Sequence, residues 1–110
     1  MNIGSFLKDI KFNEIKPAVS LVLDTDFSKE IRVAFKKGQT MEDHQAPFAI
    51  IVQVLKGSID FGVGEEVKEM TTGDIISLKP QVVHNLTATE ESVVRLSLSK
   101  LDTLKRVKSV

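Results

Sequence analysis

The chain has 110 residues, 42% of them hydrophobic, which suits one domain with a single core. It has no cysteine, tryptophan or tyrosine, which excludes disulfides and thiolate chemistry and argues against stacking on bases or sugars. Its 15 Lys and Arg residues balance its 15 Asp and Glu residues, so the chain lacks the basic excess of a nucleic-acid-binding protein.

The N-terminal residues 1–16 do not show a strand pattern. Residues 5–10 are compatible with a short helix that has Ser5 as its N-cap, or with an extended segment, before Pro17 marks the change to strand. We expect this segment to pack on the domain or on a partner subunit. It lacks the apolar run of a secretory signal, and no window reaches the ~18 apolar residues of a membrane span. A cytoplasmic protein without membrane contact is therefore expected.

From about residue 18 onward, apolar and polar residues alternate with a period of two. This period is typical of half-buried strands, because successive side chains of a strand point to opposite faces. Glycine-containing turn signals separate the runs, and about eight such strands predict an all-β sandwich or barrel. The alternating apolar residues are Val19, Leu21 and Leu23; Ile31, Val33 and Phe35; Ile59, Phe61 and Val63; and Leu96 and Leu98.

Residues 48–55 depart from this alternation because they are apolar on both faces, with Gln53 as the polar exception. A strand with one face in water would not have this composition, so both faces should be covered. The interior would cover one face. A second subunit would cover the other, which predicts a homodimer, and the alternative cover is the N-terminal segment.

The chain has only two histidines, His44 and His84, and a shared site would explain their similar settings. Histidine is a common metal ligand and titrates near neutral pH. Strand parity places each on a mostly apolar face. The residues that share these faces are Ala46, Ile50, Val52 and Val54 for the first histidine, and Val82, Leu86 and Ala88 for the second.

The sequence around His44 resembles the first motif of the cupin superfamily. Gly38, His44 and Gly57 stand in the motif's two glycine places and its first histidine place, at the right spacing. The place of the second histidine is taken by Ala46, and that of the glutamate by Ile50. Two of the three ligand places in this motif are therefore apolar.

The sequence before His84 resembles the second cupin motif, which begins here at Gly73. Gln81 takes the motif's glycine place and Ala88 its asparagine place, while Lys79 takes the proline place directly before Pro80. The resemblance covers roughly residues 30–99. Its closest sub-pattern is that of small, single-domain, RmlC-like cupins, carried here by residues 44–47, 52–57 and 80–84.

This resemblance implies a double-stranded β-helix, the jelly-roll barrel of cupins. The single cupin domain would span residues 17–99, and residues 100–110 would form a C-terminal tail. Because residues 100–108 are locally basic, we expect them to be a solvated tail or the end of a helix.

The resemblance also implies a metal site of three histidines and one glutamate, of which this chain keeps at most two ligands. His44 and His84 could hold a divalent transition metal such as Zn, Fe, Mn or Ni. Glu42 shares strand parity with His44 and is the candidate third ligand. Gln81 and Asn85 are weaker oxygen donors, and Met41 is a poor match for this ligand set. The expected ligand-binding residues are Gln81, Ala46, Ile50 and Phe48.

Three functions remain open. The first is a binding or sensing module that holds a small molecule or a metal in the barrel without converting it, and neutral buried histidines could bind a small polar ligand. The alternative is a metal-dependent enzyme, similar to a dioxygenase or an isomerase, that uses His44 and His84. A structural or interaction role is the third. The chain has no Gly-x-Ser-x-Gly turn and no phosphate-binding glycine loop.

Overall fold

The structure is a computed structural model that describes residues 1–110, and it contains nine strands and one short helix. The predicted all-β class is confirmed. The elements are β1 (Ala18–Asp24), β2 (Ser28–Phe35), β3 (Thr40–His44), β4 (Ile50–Lys56), β5 (Ser58–Val63), β6 (Glu66–Thr71), β7 (Ile75–Leu78), β8 (His84–Ala88), β9 (Ser92–Ser99) and α1 (Leu104–Lys108).

The strands form two antiparallel sheets, with the order β1-β2-β9-β4-β7 in one and β3-β8-β5-β6 in the other. Most strands that are neighbours in the chain, such as β4 and β5, belong to different sheets, as in the expected double-stranded β-helix; the exceptions are the pairs β1–β2 and β5–β6. Most of the alternating apolar residues fill the space between the sheets, whereas Leu21 of β1 is 42% exposed. Ile31, Val33 and Phe35 of β2 and Ile59 and Phe61 of β5 are at most 2% exposed. Full burial of one such side chain contributes about 1.5–3 kcal/mol.

The N-terminal segment forms no helix, so the helical alternative for residues 5–10 is wrong. The Ser5 hydroxyl does accept a hydrogen bond from the Lys8 N–H (3.2 Å), as an N-cap would. However, the next residue, Asp9, has a φ of 51°, which takes the backbone out of the right-handed helical region. The segment lies against the domain instead, where the Arg32 guanidinium of β2 donates to the backbone carbonyls of Lys8 (3.1 Å) and Asp9 (3.4 Å).

The C-terminal residues do not form a solvated tail, because α1 packs on the barrel. Thr103 is its N-cap and accepts a hydrogen bond from the Arg106 N–H (3.2 Å). Leu104 and Val107 face the barrel and the core cluster, and Val107 is only 2% exposed. The positive charges that suggested a tail belong to the other face of this helix, on exposed residues such as Lys105. The helix has neither the length nor the apolar character needed to cross a membrane.

The outer face of β4 is not covered by the N-terminal segment. Ile51 on that face is 40% exposed, and Ile75 on the neighbouring strand β7 is 58% exposed. The side-chain oxygen of Gln53 accepts a hydrogen bond from Arg95 Nη1 of β9 (3.3 Å). The N-terminal segment therefore does not cover β4, contrary to that alternative. In the single chain, the outer apolar face of β4 remains exposed.

Candidate functional site

The two histidines lie side by side at one end of the barrel. His44 is the last residue of β3 and His84 the first residue of β8, and the two are direct cross-strand partners. Their ring centroids are 4.2 Å apart, with the ring planes tilted by 57°. The structure therefore brings together two residues that are 40 positions apart in the sequence.

The hydrogen bonds of the two rings define their tautomers. His44 Nδ1 lies 2.6 Å from the backbone carbonyl of Glu42, and His84 Nδ1 lies 2.9 Å from that of Val82. A carbonyl oxygen only accepts hydrogen bonds, so each Nδ1 must carry the proton and donate it. In a neutral ring, Nε2 then keeps its lone pair. The site therefore offers two imidazole nitrogens as acceptors or ligands.

Burial favours the neutral form of both imidazoles. Burial is the main reason that the pKa of His44 and the pKa of His84 lie below the ordinary value of about 6.5. The hydrogen bonds to backbone carbonyls act in the opposite direction, and the nearby charge of Arg106 lowers both values further. Phe61 stacks on His84 with the ring planes within 9° and the centroids 5.6 Å apart, which restrains the orientation of that ring.

The histidines line a cavity between the two sheets whose wall is otherwise mostly apolar. Thirteen residues form the wall, and 10 of them are hydrophobic. The accessible volume is about 20 Å³, which is room for about one water molecule. The lining residues are Val33, Met41, His44, Ala46, Ile50, Val52, His84, Leu86, Val94, Leu96, Arg106, Val107 and Val110.

Arg106 of α1 brings a positive charge to the cavity wall, and Asp102 neutralises it. The Arg106 Nε and Nη2 atoms each lie 2.7 Å from a carboxylate oxygen of Asp102, and Nη1 donates to the Gln45 carbonyl (3.3 Å). Burial alone would raise the pKa of Asp102, but hydrogen bonds from Arg106 and from the Thr103 N–H outweigh it and lower that pKa. This paired arrangement leaves no uncompensated charge at the cavity.

Glu42 does not reach the cavity, contrary to the parity argument. A β-bulge interrupts β3, because Met41 pairs with Leu86 while His44 pairs with His84. Three steps along β3 thus match two steps along β8, and the extra residue reverses the parity. Met41 and His44 both line the cavity as a result, whereas Glu42 is exposed.

Of the other expected ligand-binding residues, Ala46 and Ile50 line the cavity, whereas Gln81 and Phe48 do not. Gln81 is exposed and has a φ of 69°, in the left-handed region where the cupin motif has glycine. Its N–H donates to the Ala46 carbonyl (2.8 Å), so its backbone joins the two motifs. The Asn85 amide is also directed elsewhere and donates to the Asp43 carboxylate (2.8 Å).

The residues present do not fit the metal site of three histidines and one glutamate. No group of three or more His, Cys, Asp or Glu side chains could hold a metal ion anywhere in the chain. At the cavity, the two remaining ligand places are the apolar Ala46 and Ile50. Protein sites for transition metals usually supply three or four ligands.

Sequence reasoning missed the three wall residues that follow the barrel, namely Arg106, Val107 and Val110. A usable signal exists: Leu104, Val107 and Val110 recur every three residues behind a potential N-cap, Thr103. Such spacing is typical of the apolar face of a short helix. The intervening basic residues concealed it.

The neutral histidines predict a stability that depends on pH. We expect the free energy of unfolding to fall as the pH is lowered from about 7 to 5, because the unfolded chain, with histidine pKa values of about 6.5, takes up protons before the folded chain does. The slope cannot exceed about 1.4 kcal/mol per pH unit for each histidine. Urea unfolding followed by circular dichroism measures it. In the double variant His44→Gln, His84→Gln, the free energy of unfolding should depend less on pH over this range. An equally steep slope in the variant would contradict the conclusion that the two histidines are neutral in the folded chain.

Comparison with known proteins gives the same fold. The family model described as Cupin domain matches residues 31–101. A crystal structure of an RmlC-like cupin protein from Desulfovibrio desulfuricans has a TM-score of 0.82 at 20% identity, over 91% of this chain and 97% of that one. KdgF from Halomonas sp. has a TM-score of 0.72 at 22% identity, over 88% of this chain and 94% of that one. No curated protein matches the sequence.

Proposed function

Because this chain belongs to the cupin family, we propose that its barrel binds a small neutral molecule that carries a hydrogen-bond donor, without converting it. The observation that carries the proposal is the pair of free Nε2 acceptors on the wall of an apolar cavity. Both rings are held in place by backbone carbonyls through Nδ1. The acceptors therefore keep their orientation whether or not a ligand is bound.

The chemistry of the wall selects the class of ligand. Two lone pairs need a donor, such as a hydroxyl group or an N–H group, because an acceptor would leave them unpaired. The 10 hydrophobic wall residues favour an apolar body. Asp102 and Arg106 already pair with each other through two 2.7 Å hydrogen bonds. A charged ligand would therefore find no unpaired group of opposite charge, which favours a neutral ligand.

A matched pair of probes tests this ligand class. Cyclopentanol can donate a hydrogen bond to a histidine, whereas cyclopentanone has almost the same size and cannot. We expect the alcohol to bind roughly 5- to 100-fold more tightly, since an unmade buried hydrogen bond costs about 1–3 kcal/mol. Titrations followed by changes in amide NMR shifts give both affinities.

Two variants complete this test. The double variant His44→Leu, His84→Leu should lose the preference for the alcohol, while Ile50→Val, which changes only the apolar wall, should retain it. Equal binding of the alcohol and the ketone by the unmodified protein would overturn the proposal. So would a preference that survives the loss of both histidines.

The alternative function, a metal-dependent enzyme, would need a third ligand that the present residues do not provide. Metal analysis of protein purified without a chelator or an affinity tag separates the two functions. About one equivalent of Zn, Fe, Mn or Ni, lost in the double variant His44→Ala, His84→Ala, would favour the enzyme. Traces of metal that the double variant retains would favour the binding protein.

We further propose that two copies pair through the outer face of the five-stranded sheet. Ile51 and Ile75 expose apolar surface there, and the charges of Glu30 and Arg95 on the same face already pair within the chain (2.9 Å). A second copy would therefore bury this face without charge repulsion. Light scattering should give a dimer mass for the unmodified chain and a monomer mass for Ile51→Asp. Val67→Asp, on the four-stranded sheet, is the control and should leave the mass unchanged; a monomeric parent chain would contradict this pairing.

A further inference from the structure

We propose that residues 101–110, here called the C-terminal lid, close the ligand cavity and swing away from the barrel to admit a ligand. The inference rests on the proposed binding function, because it explains how a ligand reaches the two histidines. The lid contains α1, and its Arg106, Val107 and Val110 form part of the cavity wall. No strand of the barrel contributes to this part of the wall.

The small size of the cavity favours a movement of its wall when a ligand binds. Its accessible volume of about 20 Å³ holds about one water molecule, and even a ligand of five or six heavy atoms needs several times more space. Most of the wall belongs to paired strands, which cannot separate without breaking their ladders. Only Ala46 and the lid residues lie outside both sheets, and the Ala46 carbonyl is held by a hydrogen bond from the Gln81 N–H (2.8 Å). The lid is therefore the part of the wall that can move most easily.

The lid is attached to the barrel by few polar contacts. The backbone hydrogen bonds of residues 101–110 stay within the segment, except for that from the Asp102 N–H to the Ser99 carbonyl at its base. The other three links are Leu101 N–H to Ser99 Oγ (3.2 Å), Arg106 Nη1 to the Gln45 carbonyl (3.3 Å) and Lys16 Nζ to the Lys108 carbonyl (3.0 Å). A short segment held by few such links can open well below the energy of global unfolding.

The base of the lid is suited to act as a hinge. The residue before it, Lys100, is fixed to the barrel, since its N–H donates to the Phe27 carbonyl (3.1 Å) and its carbonyl accepts from Lys29 Nζ (2.6 Å). The next residue, Leu101, is 73% exposed. Because Asp102 and Arg106 both lie in the lid, their ion pair can move with it, and opening leaves no buried charge without its partner.

The absence of cysteine from the chain allows a direct test with single thiols. Val107 of the lid and Val54 of β4 are both valines and are 2% and 0% exposed. Each is replaced by cysteine in turn, and the rate of reaction with a soluble disulfide reagent is measured without any ligand. We expect Val107→Cys to react at least 100-fold faster than Val54→Cys, because only the latter must wait for global unfolding. Equal reaction rates for the two variants would contradict the proposed opening of the lid.

Hydrogen exchange on the unmodified chain tests the same proposal without a substitution, and therefore does not depend on how well a cysteine variant folds. The Ser109 N–H donates to the Lys105 carbonyl inside the lid (3.1 Å), and the Val54 N–H donates to the Asp74 carbonyl (2.9 Å). If the lid opens, the Ser109 amide should exchange much faster than the Val54 amide. Equal protection of these two amides would contradict the opening. Neither measurement uses a ligand, so a failure of the alcohol and ketone test leaves the lid in place, and the reverse also holds.

Discussion

Replacing Ala46 with histidine and Ile50 with glutamate is expected to create a strong metal site where the chain now offers two histidines. Both residues line the cavity together with His44 and His84, and they occupy the two cupin ligand places that are apolar here. The double variant would supply three imidazoles and one carboxylate, the number and type of ligands that Zn²⁺ uses in proteins. Without metal, the buried glutamate should destabilise the variant.

Thermal unfolding with and without Zn²⁺ measures the gain. A metal that binds only the folded state adds about 2.7 kcal/mol of stability at a concentration 100-fold above its dissociation constant. We expect micromolar zinc to stabilise the double variant by about this amount and to leave the parent chain unchanged. Ala46→Leu with Ile50→Gln, which adds bulk but neither an imidazole nor a carboxylate, is the control. Equal stabilisation of the parent chain would show that its two histidines already bind metal well.

The second large effect is expected at Gly57, between β4 and β5, where the chain crosses from one sheet to the other. A β-carbon at this position would lie 2.2 Å from Ser92 Oγ and 2.5 Å from the Glu91 carbonyl oxygen. Its φ of 99° is also a conformation that side chains resist. Left-handed backbone costs about 1–2 kcal/mol and overpacking about 1–3 kcal/mol. Gly57→Ala should therefore lose roughly 2–5 kcal/mol of stability.

Gly38→Ala separates the two causes. Gly38 has a similar φ of 88°, but a β-carbon there would meet nothing within 4 Å. Gly38→Ala should therefore lose only the stability that the left-handed backbone costs, about 1–2 kcal/mol. Urea unfolding followed by circular dichroism compares the two variants. Equal losses would mean that the close approach to Ser92 does not matter.

The sequence was sufficient for the all-β class because its signals are local and repeated, while the double-stranded β-helix was implied by the resemblance to cupins. Ile31, Val33 and Phe35 alternate with Arg32, Ala34 and Lys36, and all three are buried between the sheets. The turn glycines Gly38, Gly57 and Gly73 all have positive φ values. Each of these patterns follows from the geometry of a strand or a turn, without knowledge of the neighbouring strands.

The site was less predictable because it depends on two features without a local signal. The bulge in β3 turns Glu42 away from the cavity and Met41 into it, and a bulge follows from how two strands pair, which parity within one strand ignores. The C-terminal lid owes its position to the barrel that it packs against. An isolated helix as short as α1, Leu104–Lys108, would not be stable.

The most direct test of the central claim is the nitrogen NMR spectrum of the two histidines, which gives the protonation state of each ring nitrogen. The chain has only two imidazoles, so only four ring nitrogens contribute, and the variant His44→Gln identifies those of each ring. At neutral pH, we predict neutral rings with the proton on Nδ1 in both His44 and His84, as the carbonyls of Glu42 and Val82 require. A proton on Nε2 of either ring, or a positively charged ring at that pH, would contradict the site proposed for this barrel.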